Sequence, residues 1–474
     1  MAEAKRFEPN LQSLGFGYDA PAWFRDAKFG IYAHWGVYSV TGQHEWYPRN
    51  MYIPGHACNE HHIKTYGHPS TFGYKDIVPM WKAENWDPDA ILDVVKGAGA
   101  KYFCQCAVHH DNFDLWDSKH HRWNSVNMGP KRDVIAEYRD ATHRAGLRWG
   151  ATTHLARADQ WFQSNKNSDA GGAYDGNDPA YQDFYFPPIP EGGDGFVSEA
   201  HRQNWKDRLI DLIDNYEIDL LYFDGAIPFT GPDNFQTGME VAAHYYNKSV
   251  ERHGQLESLL FIKNTADYFG AFDCGLYVER IATLDVEHRS IPDVRYQPWQ
   301  CDFPILTGAA WSYNPSENVY GVSDILNLMT DVVSKNGCFL LNLPPKPDGT
   351  LEDRVTERLA EVGAWMELNG DAIYGTRPFY PVAEGQTRFT TKGNTLNIIV
   401  RQWPADDRET VESIQGGAPL TVKQVKLLGH GPVAFTQDGA SLAIDLPAEA
   451  KDKLVRPYVL QATCDQPTKP SWID

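Results

Sequence analysis

Asp224 is the residue whose surroundings in the sequence point most directly to chemistry. It closes the apolar run Asp219-Leu220-Leu221-Tyr222-Phe223, and Gly225 follows it. A strand that ends in this way delivers a charged oxygen to the open end of a barrel or sheet, where active sites lie. A second carboxylate facing Asp224 would make the chain a glycosidase candidate, because glycosidases work with such a pair.

Polar side chains follow other apolar runs too, at the points where strands should end. One histidine in such a place is more often a satisfied buried residue than a functional one. Several strand ends that offer histidine or carboxylate on one face instead indicate a polar ligand site. These groups are Ala33-His34-Trp35-Gly36 with His44-Glu45-Trp46 after it, His109-His110-Asp111, Thr152-Thr153-His154, Asp224, and Asp285-Val286-Glu287-His288-Arg289.

The histidines raise the alternative of a metal site. A mononuclear or dinuclear hydrolase site could be drawn from Asp224 and four histidines, His34, His109, His110 and His154. The spacing shows neither HxH nor HExxH, and adjacent histidines on a strand point to opposite faces. Neutral imidazoles also hydrogen-bond sugar hydroxyls without an ion. We therefore expect no metal and no cofactor, and keep a metal-dependent hydrolase as the alternative enzyme class.

The elements that would position these groups alternate along most of the chain, strand-like apolar runs with helix-like amphipathic stretches. This order implies a parallel sheet, and about eight repeats over roughly 370 residues imply a closed (β/α)8-like barrel of the TIM type. The predicted strands are 29–35, 102–108, 147–153, 219–223, 259–262, 280–286 and 338–343, and the predicted helices are 87–97, 134–145, 199–216, 235–251 and 323–334.

The alternation stops after Ile373. Short segments with period-two patterning follow, at 395–400, 422–428 and 442–446, separated by Gly, Asp and Pro. We predict a catalytic barrel over residues 1–375 and a C-terminal antiparallel β-sandwich over residues 376–474. The Gly- and Pro-rich segment 169–194 is predicted to be a long loop that could cover the site and select the leaving group.

Composition limits the partners. The formal net charge of −20 argues against nucleic acid and anionic membrane surfaces, which require a basic footprint. Aromatic residues make up 13% of the chain, which suits stacking against sugar rings. No apolar run approaches the ~20 residues of a membrane span. The polar start predicts a cytoplasmic protein as the chain is given, or a periplasmic or secreted one after removal of a leader; a homo-oligomer is compatible with either.

A series of motifs in collinear order, from about residue 15 to about residue 380, resembles the α-L-fucosidases of glycoside hydrolase family 29. No single motif carries the resemblance; the order of all of them does. They are 28–39 (KFGIYAHWGVYS), Glu45-Trp46-Tyr47, Asn50-Met51-Tyr52, Gly99-Ala100-Lys101-Tyr102, His109-His110-Asp111-Asn112-Phe113, 333–337 (VSKNG) with Leu340-Leu341-Asn342, Asp348-Gly349-Thr350, Gly363, Trp365, Asn369-Gly370, and 372–376 (AIYGT).

The resemblance implies a barrel with a C-terminal β-sandwich, and hydrolysis of α-linked L-fucosyl groups of oligosaccharides or glycoconjugates with retention at the anomeric carbon. Asp224 falls on the family's nucleophile. The sugar-binding positions of the family fall on His34, Glu45, Trp46, His109 and His110. Tyr222 stands where many members have tryptophan, so an aromatic wall is kept with an altered shape.

The acid/base of the family is harder to place. The segment Asp285 to Arg289, followed by Pro298-Trp299-Gln300-Cys301-Asp302 and Trp311-Ser312-Tyr313, resembles a pattern of many members and makes Glu287 the candidate. Glu279 and Glu45 are the competitors. Glu287 would need to hold a proton near neutral pH, which partial burial and the charge of Asp224 would favour. The alternative interpretation, without a catalytic role, is that Glu287 forms an ion pair with Arg289 or Arg280.

Some departures from the family concern the substrate. His288-Arg289 replaces the expected Arg-Gly, Cys301 replaces Thr, and Thr152-Thr153-His154 differs from the usual pattern. With Trp299 and Trp311 these positions are expected to line the sugar pocket or the leaving-group side. A polar gap facing C6 of the sugar would admit α-L-galactosides. Even an apolar pocket at C6 would reject the added hydroxyl of these substrates only weakly. A catalytically silent carbohydrate-binding protein on the same fold is a further alternative.

Overall fold

Eight parallel strands close into a barrel in the computed structural model, which describes residues 6–190, 196–264, 275–308, 310–414 and 420–468. The strands are β1 Phe29–Ala33, β2 Tyr102–Val108, β3 Arg148–Thr153, β4 Leu220–Phe223, β5 Leu259–Lys263, β6 Thr283–Asp285, β7 Trp299–Pro304 and β8 Gly337–Leu343. Their order around the barrel is β1-β8-β7-β6-β5-β4-β3-β2, with every neighbouring pair parallel.

Six long helices accompany the barrel: α1 Pro88–Gly97, α2 Val134–Ala145, α3 Glu199–Tyr216, α4 Gln236–His253, α5 Val322–Ser334 and α6 Asp353–Asn369. Shorter helices are Leu11–Gly17, Ala22–Ala27, Tyr47–Asn50, Ala57–Thr65, Tyr74–Ile77, Ala158–Trp161 and Gln182–Tyr185. The Asp87 carboxylate caps α1 by accepting from the N–H of Asp89 at 3.0 Å, as its position before Pro88 predicts. The five predicted helices are found within two residues of their predicted bounds.

Strand β7 is absent from the strands predicted from the sequence. Its residues Trp299-Gln300-Cys301-Asp302-Phe303-Pro304 are all buried, yet they mix polar and apolar types and end in proline, so they show neither alternation nor a continuous apolar run. The predicted strand 280–286 is shorter, Thr283–Asp285. Residues 286–298, between β6 and β7, contain no helix, so the repeat of strand and helix is incomplete there. The barrel itself is as predicted.

A second unit of antiparallel sheets follows the barrel. Its strands are β9 Arg377–Glu384, β10 Thr387–Lys392, β11 Thr395–Val400, β12 Arg408–Val411, β13 Val422–Leu427, β14 Gly431–Pro432, β15 Phe435–Asp438, β16 Ser441–Asp445 and β17 Tyr458–Cys464. They form one sheet in the order β9-β10-β11-β17-β13-β14 and another in the order β12-β16-β15. The predicted boundary after residue 375 falls just before β9.

The two units share contacts. The Trp365 indole donates to the carbonyl of Pro457 at 2.9 Å, and the Thr390 hydroxyl donates to the carbonyl of Ala372 at 2.8 Å. Ile399 and Val459 of the second unit belong to the apolar core of the barrel, whereas the rest of the sandwich has a core of its own. The sandwich is therefore joined to the barrel through buried apolar surface.

The segment predicted to be a long loop has more structure than expected. Ser168–Asp169 pairs with Gly172–Ala173, and a helical turn covers Gln182–Tyr185. Residues 191–194 of that segment lie outside the described residues. Within the described ranges, no helix is both long and apolar enough to cross a bilayer.

Candidate active site

A small cavity of about 70 Å³ opens where the barrel strands end. Each of the strands β1 to β7, or the loop that follows it, supplies part of its walls. The lining residues are Tyr32, His34, Glu45, Trp46, His109, His154, Arg157, Tyr222, Asp224, Lys263, Glu287, Asp302 and Trp311. A larger cavity of about 870 Å³ lies beside the start of α3, and none of its lining residues lines the small cavity. The small cavity is the one that contains Asp224 and Glu287.

Asp224 lies directly after β4 and is held by positive and ring-nitrogen groups. Its N–H donates to the carbonyl of Thr153 at 3.0 Å, which continues the β3–β4 ladder by one residue. Its Oδ2 lies 3.1 Å from Arg157 Nη2 and 3.2 Å from His110 Nε2. Burial would raise the pKa of this carboxyl, but Lys263, His154, His110 and Arg157 outweigh it and hold the pKa well below its usual range. Asp224 is ionised at neutral pH.

Lys263 joins the two carboxylates that the sequence singled out. Its Nζ lies 2.9 Å from Asp224 Oδ1 and 2.8 Å from Glu287 Oε2, and only 6% of the side chain is exposed. The two oxygens can lie no farther apart than these two bond lengths end to end. That limit is close to the ~5–5.5 Å carboxyl separation of retaining glycosidases and short of the ~6.5–9.5 Å of inverting ones.

Backbone bonds to β7 fix the position of Glu287. Val286 N–H donates to the Gln300 carbonyl and His288 N–H to the Asp302 carbonyl, both at 2.9 Å, so the pairing extends beyond the end of β6. Glu287 is two residues after Asp285 and therefore faces the barrel interior as Asp285 does. His288 has a φ of 64°, which turns the chain away immediately afterwards.

The protonation expected for Glu287 needs correction. Burial and the charge of Asp224 do raise its pKa, but Lys263 and His288, whose Nε2 lies 3.2 Å from Glu287 Oε1, outweigh them and lower it to about 2. With Lys263 at bonding distance, Glu287 is ionised. The sequence could not show this because Lys263 is 24 residues away, on another strand. Glu287 forms ion pairs with Lys263 and His288.

Glu45 is a second glutamate of this cavity, and burial brings its pKa close to neutrality. It is buried, and its Oε2 accepts from the N–H groups of Trp311 at 2.9 Å and Ser312 at 3.2 Å. Burial raises its pKa to about 7 against these bonds. Trp46, the next residue, packs edge-on against His110 with ring centroids 6.0 Å apart. Glu45 and Trp46 thus lie at the cavity as predicted.

The histidines are neutral. Burial lowers the pKa of His34 to about 4 and those of His109 and His154 well below the usual range. The rings of His109 and His154 stack with centroids 4.4 Å apart. His34 Nδ1 lies 2.8 Å from Asn342 Oδ1, an acceptor, which leaves Nε2 of His34 as an acceptor. Neutral rings of this kind can both give and take hydrogen bonds from hydroxyl groups.

The metal alternative gains a different ligand set from the one the sequence suggested. Among the described residues, His34, Cys106 and His154 are the group whose ligand atoms lie within 4.8 Å of one another. Nitrogen and sulfur donors of this kind suit zinc. Asp224 and His110 bond to each other instead, and burial raises the pKa of the Cys106 thiol. A protonated thiol is not a ligand, so the group fits an ion only after losing that proton.

Two aromatic residues complete the walls as predicted. Tyr222 precedes Phe223 at the end of β4, and its ring faces Lys263 Nζ at 5.7 Å from the centroid. Trp311 lies beside His34, with ring centroids 5.5 Å apart, and beside His288 at 4.8 Å. His288 therefore contacts a residue that lines the cavity, although it does not line the cavity itself.

Two predicted binding residues lie elsewhere. Trp299 starts β7 at the opposite end of the barrel, fully buried, and its indole donates to the carbonyl of Lys335 at 3.0 Å. Arg289 is exposed beyond the turn at His288 and does not line the cavity. The turn at His288 directs Arg289 away from the cavity, and Trp299 lies at the wrong end of its strand to reach it.

Sequence reasoning also missed several cavity residues, chiefly Lys263, Arg157, Asp302 and Tyr32. Lys263 ends the apolar run of β5 just as Asp224 follows that of β4, so the strand-end rule applied to histidine and aspartate would have found it. Asp302 lies inside the strand that was not recognised. Arg157 is in the loop after β3, where the sequence gives no specific signal.

Comparison with known proteins gives matches over nearly the whole chain. A family model described as alpha-L-fucosidase matches residues 1–371. The tissue alpha-L-fucosidase of Homo sapiens is 28% identical over 458 residues, which cover 94% of this chain and 88% of that protein. The plasma alpha-L-fucosidase of Homo sapiens is 28% identical over 472 residues, covering 94% of this chain and 89% of that protein.

Solved structures agree. The crystal structure of Thermotoga maritima alpha-fucosidase in complex with fucose has 29% sequence identity and a TM-score of 0.77, covering 97% of this chain and 100% of that one. An alpha-L-fucosidase of Bacteroides thetaiotaomicron, at 18% identity and a TM-score of 0.69, shares the fold.

Proposed function

Because this chain belongs to the α-L-fucosidase family of glycoside hydrolases, we propose that it removes terminal α-L-fucosyl groups by double displacement, with Asp224 as nucleophile and Glu287 as acid/base. The observation that carries the proposal is the bridge from Lys263 Nζ to both carboxylates, at 2.9 and 2.8 Å. It limits the separation of the two oxygens to a value near that of retaining glycosidases, which supports a covalent glycosyl-enzyme.

In the first step Asp224 Oδ attacks the anomeric carbon and the bond from that carbon to the leaving oxygen breaks. The leaving oxygen takes the proton of Glu287, so the products are a glycosyl ester of Asp224 and a free hydroxyl. Support for the attack comes from the ionised state of Asp224, whose pKa is held well below its usual range, burial notwithstanding, by Lys263, His154, His110 and Arg157.

In the second step Glu287 acts as a base. It takes a proton from water, the water oxygen attacks the anomeric carbon, and the bond to Asp224 breaks. Two displacements restore the original configuration. Lys263 remains beside Glu287 in this step and favours its anionic form, the one that a base requires.

Recognition of the sugar is assigned to the neutral rings and to Glu45. His34 Nε2 accepts a hydrogen bond, the imidazoles of His109 and His154 stack beside it, and Glu45 accepts from or donates to a hydroxyl according to its proton. The cavity is small and closed below by the barrel, which supports removal of a terminal sugar rather than cleavage within a chain.

One observation favours a second substrate, the α-L-galactosides. Trp311 would contact the C6 methyl of fucose, and His288 lies beside it, with ring centroids 4.8 Å apart and 47% of the His288 side chain exposed. A ring nitrogen there could bond a 6-hydroxyl. The ratio of kcat/KM for 4-nitrophenyl α-L-fucoside to that for the α-L-galactoside, compared between the parent and His288→Phe, measures this preference. If the variant leaves this ratio unchanged, His288 does not determine the preference.

Azide assigns the two carboxyl roles. Asp224→Gly should lose about 10³-fold or more of its activity on 4-nitrophenyl α-L-fucoside and form β-L-fucosyl azide when azide is added, by a single displacement. Glu287→Ala should form α-L-fucosyl azide, because azide then opens a glycosyl-enzyme without needing a base. NMR of the products distinguishes the two anomers. The opposite anomers, or full activity of Asp224→Gly, would overturn the assignment.

A further inference from the structure

A third carboxylate lies close to the Lys263 ammonium. Asp302 Oδ2 is 4.0 Å from Lys263 Nζ, beyond the bonds of 2.9 Å to Asp224 and 2.8 Å to Glu287. Asp302 projects from β7, and 3% of its side chain is exposed. The Tyr32 hydroxyl donates to the same Oδ2 at 3.2 Å, and the Tyr222 hydroxyl lies 3.4 Å from it. These donors stabilise a negative charge on Asp302.

Asp285, on the neighbouring strand β6, completes this group. Gln300 Nε2 donates to Asp285 Oδ1 at 2.8 Å, and the Tyr222 hydroxyl lies 3.3 Å from Asp285 Oδ2, so it contacts both aspartates. Burial raises the pKa of both carboxyls; Asp302 raises the pKa of Asp285 further, whereas the hydrogen bond with Asp285 lowers that of Asp302. Two adjacent buried carboxylates share one proton. The pair therefore places a single negative charge beneath Lys263.

The arrangement leaves Glu287 in the wrong protonation state for its proposed first step. Lys263 stabilises the anionic form of Glu287, as a base requires, whereas an acid must carry a proton. Among the described residues, the groups that face Glu287 include Lys263 from β5, Tyr222 and Asp224 from β4, Asp302 from β7, His288 in its own loop, and Glu45 and His34 from the β1 side. Of these, Lys263 makes the closest bond to Glu287 and is the group whose departure would change its charge most.

Resting on the proposed function, we propose that Asp302 is a positioning residue that receives the Lys263 ammonium from Glu287 during the first step. Lys263 Nζ keeps its bond to Asp224 Oδ1, breaks the bond to Glu287 Oε2 and forms one to Asp302 Oδ2. Glu287 then takes a proton from solvent and passes it to the leaving oxygen. When the leaving group has gone, the ammonium returns and Glu287 is again an anion.

The displacement needed is small. A bond between an ammonium and a carboxylate is about 2.7–2.9 Å long, so Nζ must approach Asp302 by roughly one ångström from its present 4.0 Å. The ammonium sits on a flexible four-carbon stem and has three donors, one of which can stay on Asp224 during the exchange. Without Lys263, the burial of Glu287 and the charge of Asp224 both raise its pKa.

Asp302→Asn tests the inference, because the amide keeps the size of the side chain and removes the charge that would receive Lys263. A substrate with a poor leaving group, methyl α-L-fucoside, depends on the acid and should lose roughly tenfold or more in kcat/KM. The 2,4-dinitrophenyl α-L-fucoside needs no acid and should change by less than about threefold. With the methyl glycoside the alkaline limb of kcat should move to lower pH.

Two variants serve as controls. Asp302→Glu restores the charge and should recover part of the loss with the methyl glycoside. Asp219→Asn replaces a buried aspartate at the opposite end of β4, where it bonds Trp149 N–H at 3.2 Å, and should affect both substrates alike. Equal losses on both substrates in Asp302→Asn, with the alkaline limb unmoved, would overturn the inference. The azide products of Asp224→Gly and Glu287→Ala test the proposed function separately, so the two failures are distinguishable.

Discussion

Glu45 is buried and yet has a pKa near neutral pH, so its titration should make the stability of the protein depend on pH. Burial raises its pKa to about 7, well above that of a glutamate in an unfolded chain. The folded state therefore binds the proton more tightly than the unfolded state. Stability is highest below the unfolded pKa, falls as pH rises from about 4.5 towards 7, and is constant above that range.

Glu45→Gln removes this titration and should change the pH dependence of stability. Relative to the parent, the variant should gain roughly 2–3 kcal/mol in the free energy of unfolding between pH 4.5 and pH 8. Denaturant unfolding of both proteins at several pH values measures the difference. A difference that is the same at every pH would show that Glu45 does not titrate in this range.

Residue types explain which parts of the site the sequence could predict. Asp224, His34, His109 and His154 follow apolar strands, and a polar group there has no packing role, so it stands out. Lys263 occupies an equivalent place but is a residue type usually found on surfaces. The charge of Glu287 depends on a contact between strands β5 and β6, and such contacts leave no pattern in the order of residues.

At the scale of elements, the loop after β6 carries Glu287 and is anchored by a buried lysine. Lys335, at the end of α5, donates to the carbonyl of Ile291 at 2.7 Å and to the hydroxyl of Ser290 at 3.3 Å. The same ammonium bonds Asp331 Oδ2 at 2.7 Å, and Asp331 also pairs with Arg388 of β10. One buried lysine thus joins the loop, the helix and the sandwich.

Lys335→Met should loosen that loop. We expect a loss of about 1–3 kcal/mol in unfolding free energy from the broken buried bonds, and a several-fold fall in kcat because the position of Glu287 is less well fixed. Thermal unfolding and kinetics on 4-nitrophenyl α-L-fucoside measure both. Lys392→Met, at an exposed lysine 3.4 Å from Asp371, is the matched control and should change neither. Similar effects of the two variants would contradict this role for Lys335.

The elements differ in how well they can be predicted from their sequences. Helices α1, α2 and α3 have caps and amphipathic periodicity, and their bounds are predicted almost to the residue. Strand β7 has Gln300 and Asp302 in a fully buried position, where pattern rules expect apolar residues. Asp302 lines the cavity and Gln300 bonds Asp285, so the two polar residues that hide β7 from prediction both belong to the polar groups at this end of the barrel.

For the whole molecule, the contact between barrel and sandwich predicts how the protein unfolds. Ile399 and Val459 of the sandwich lie in the apolar core of the barrel, and the Trp365 indole bonds the Pro457 carbonyl across the junction. Separating the units would expose this apolar surface and leave polar groups unpaired. Stability of either unit is therefore tied to the other.

Differential scanning calorimetry should show one cooperative transition for the intact chain. Trp365→Phe, which removes the indole donor and part of the buried area, should lower the temperature of the whole transition without splitting it. A parent endotherm that resolves into two peaks, one for each unit, would show that the junction is too weak to couple them.

The ammonium between Asp224 and Glu287 also has a consequence for inhibitor design. Amine-containing sugar mimics usually gain affinity when their positive charge meets unpaired carboxylates. Here Lys263 already occupies the space between those oxygens at 2.9 and 2.8 Å, so a protonated inhibitor must share or displace a resident cation. Its charge is worth less in such a pocket, and an uncharged mimic of the same ring should compete with it on nearly equal terms.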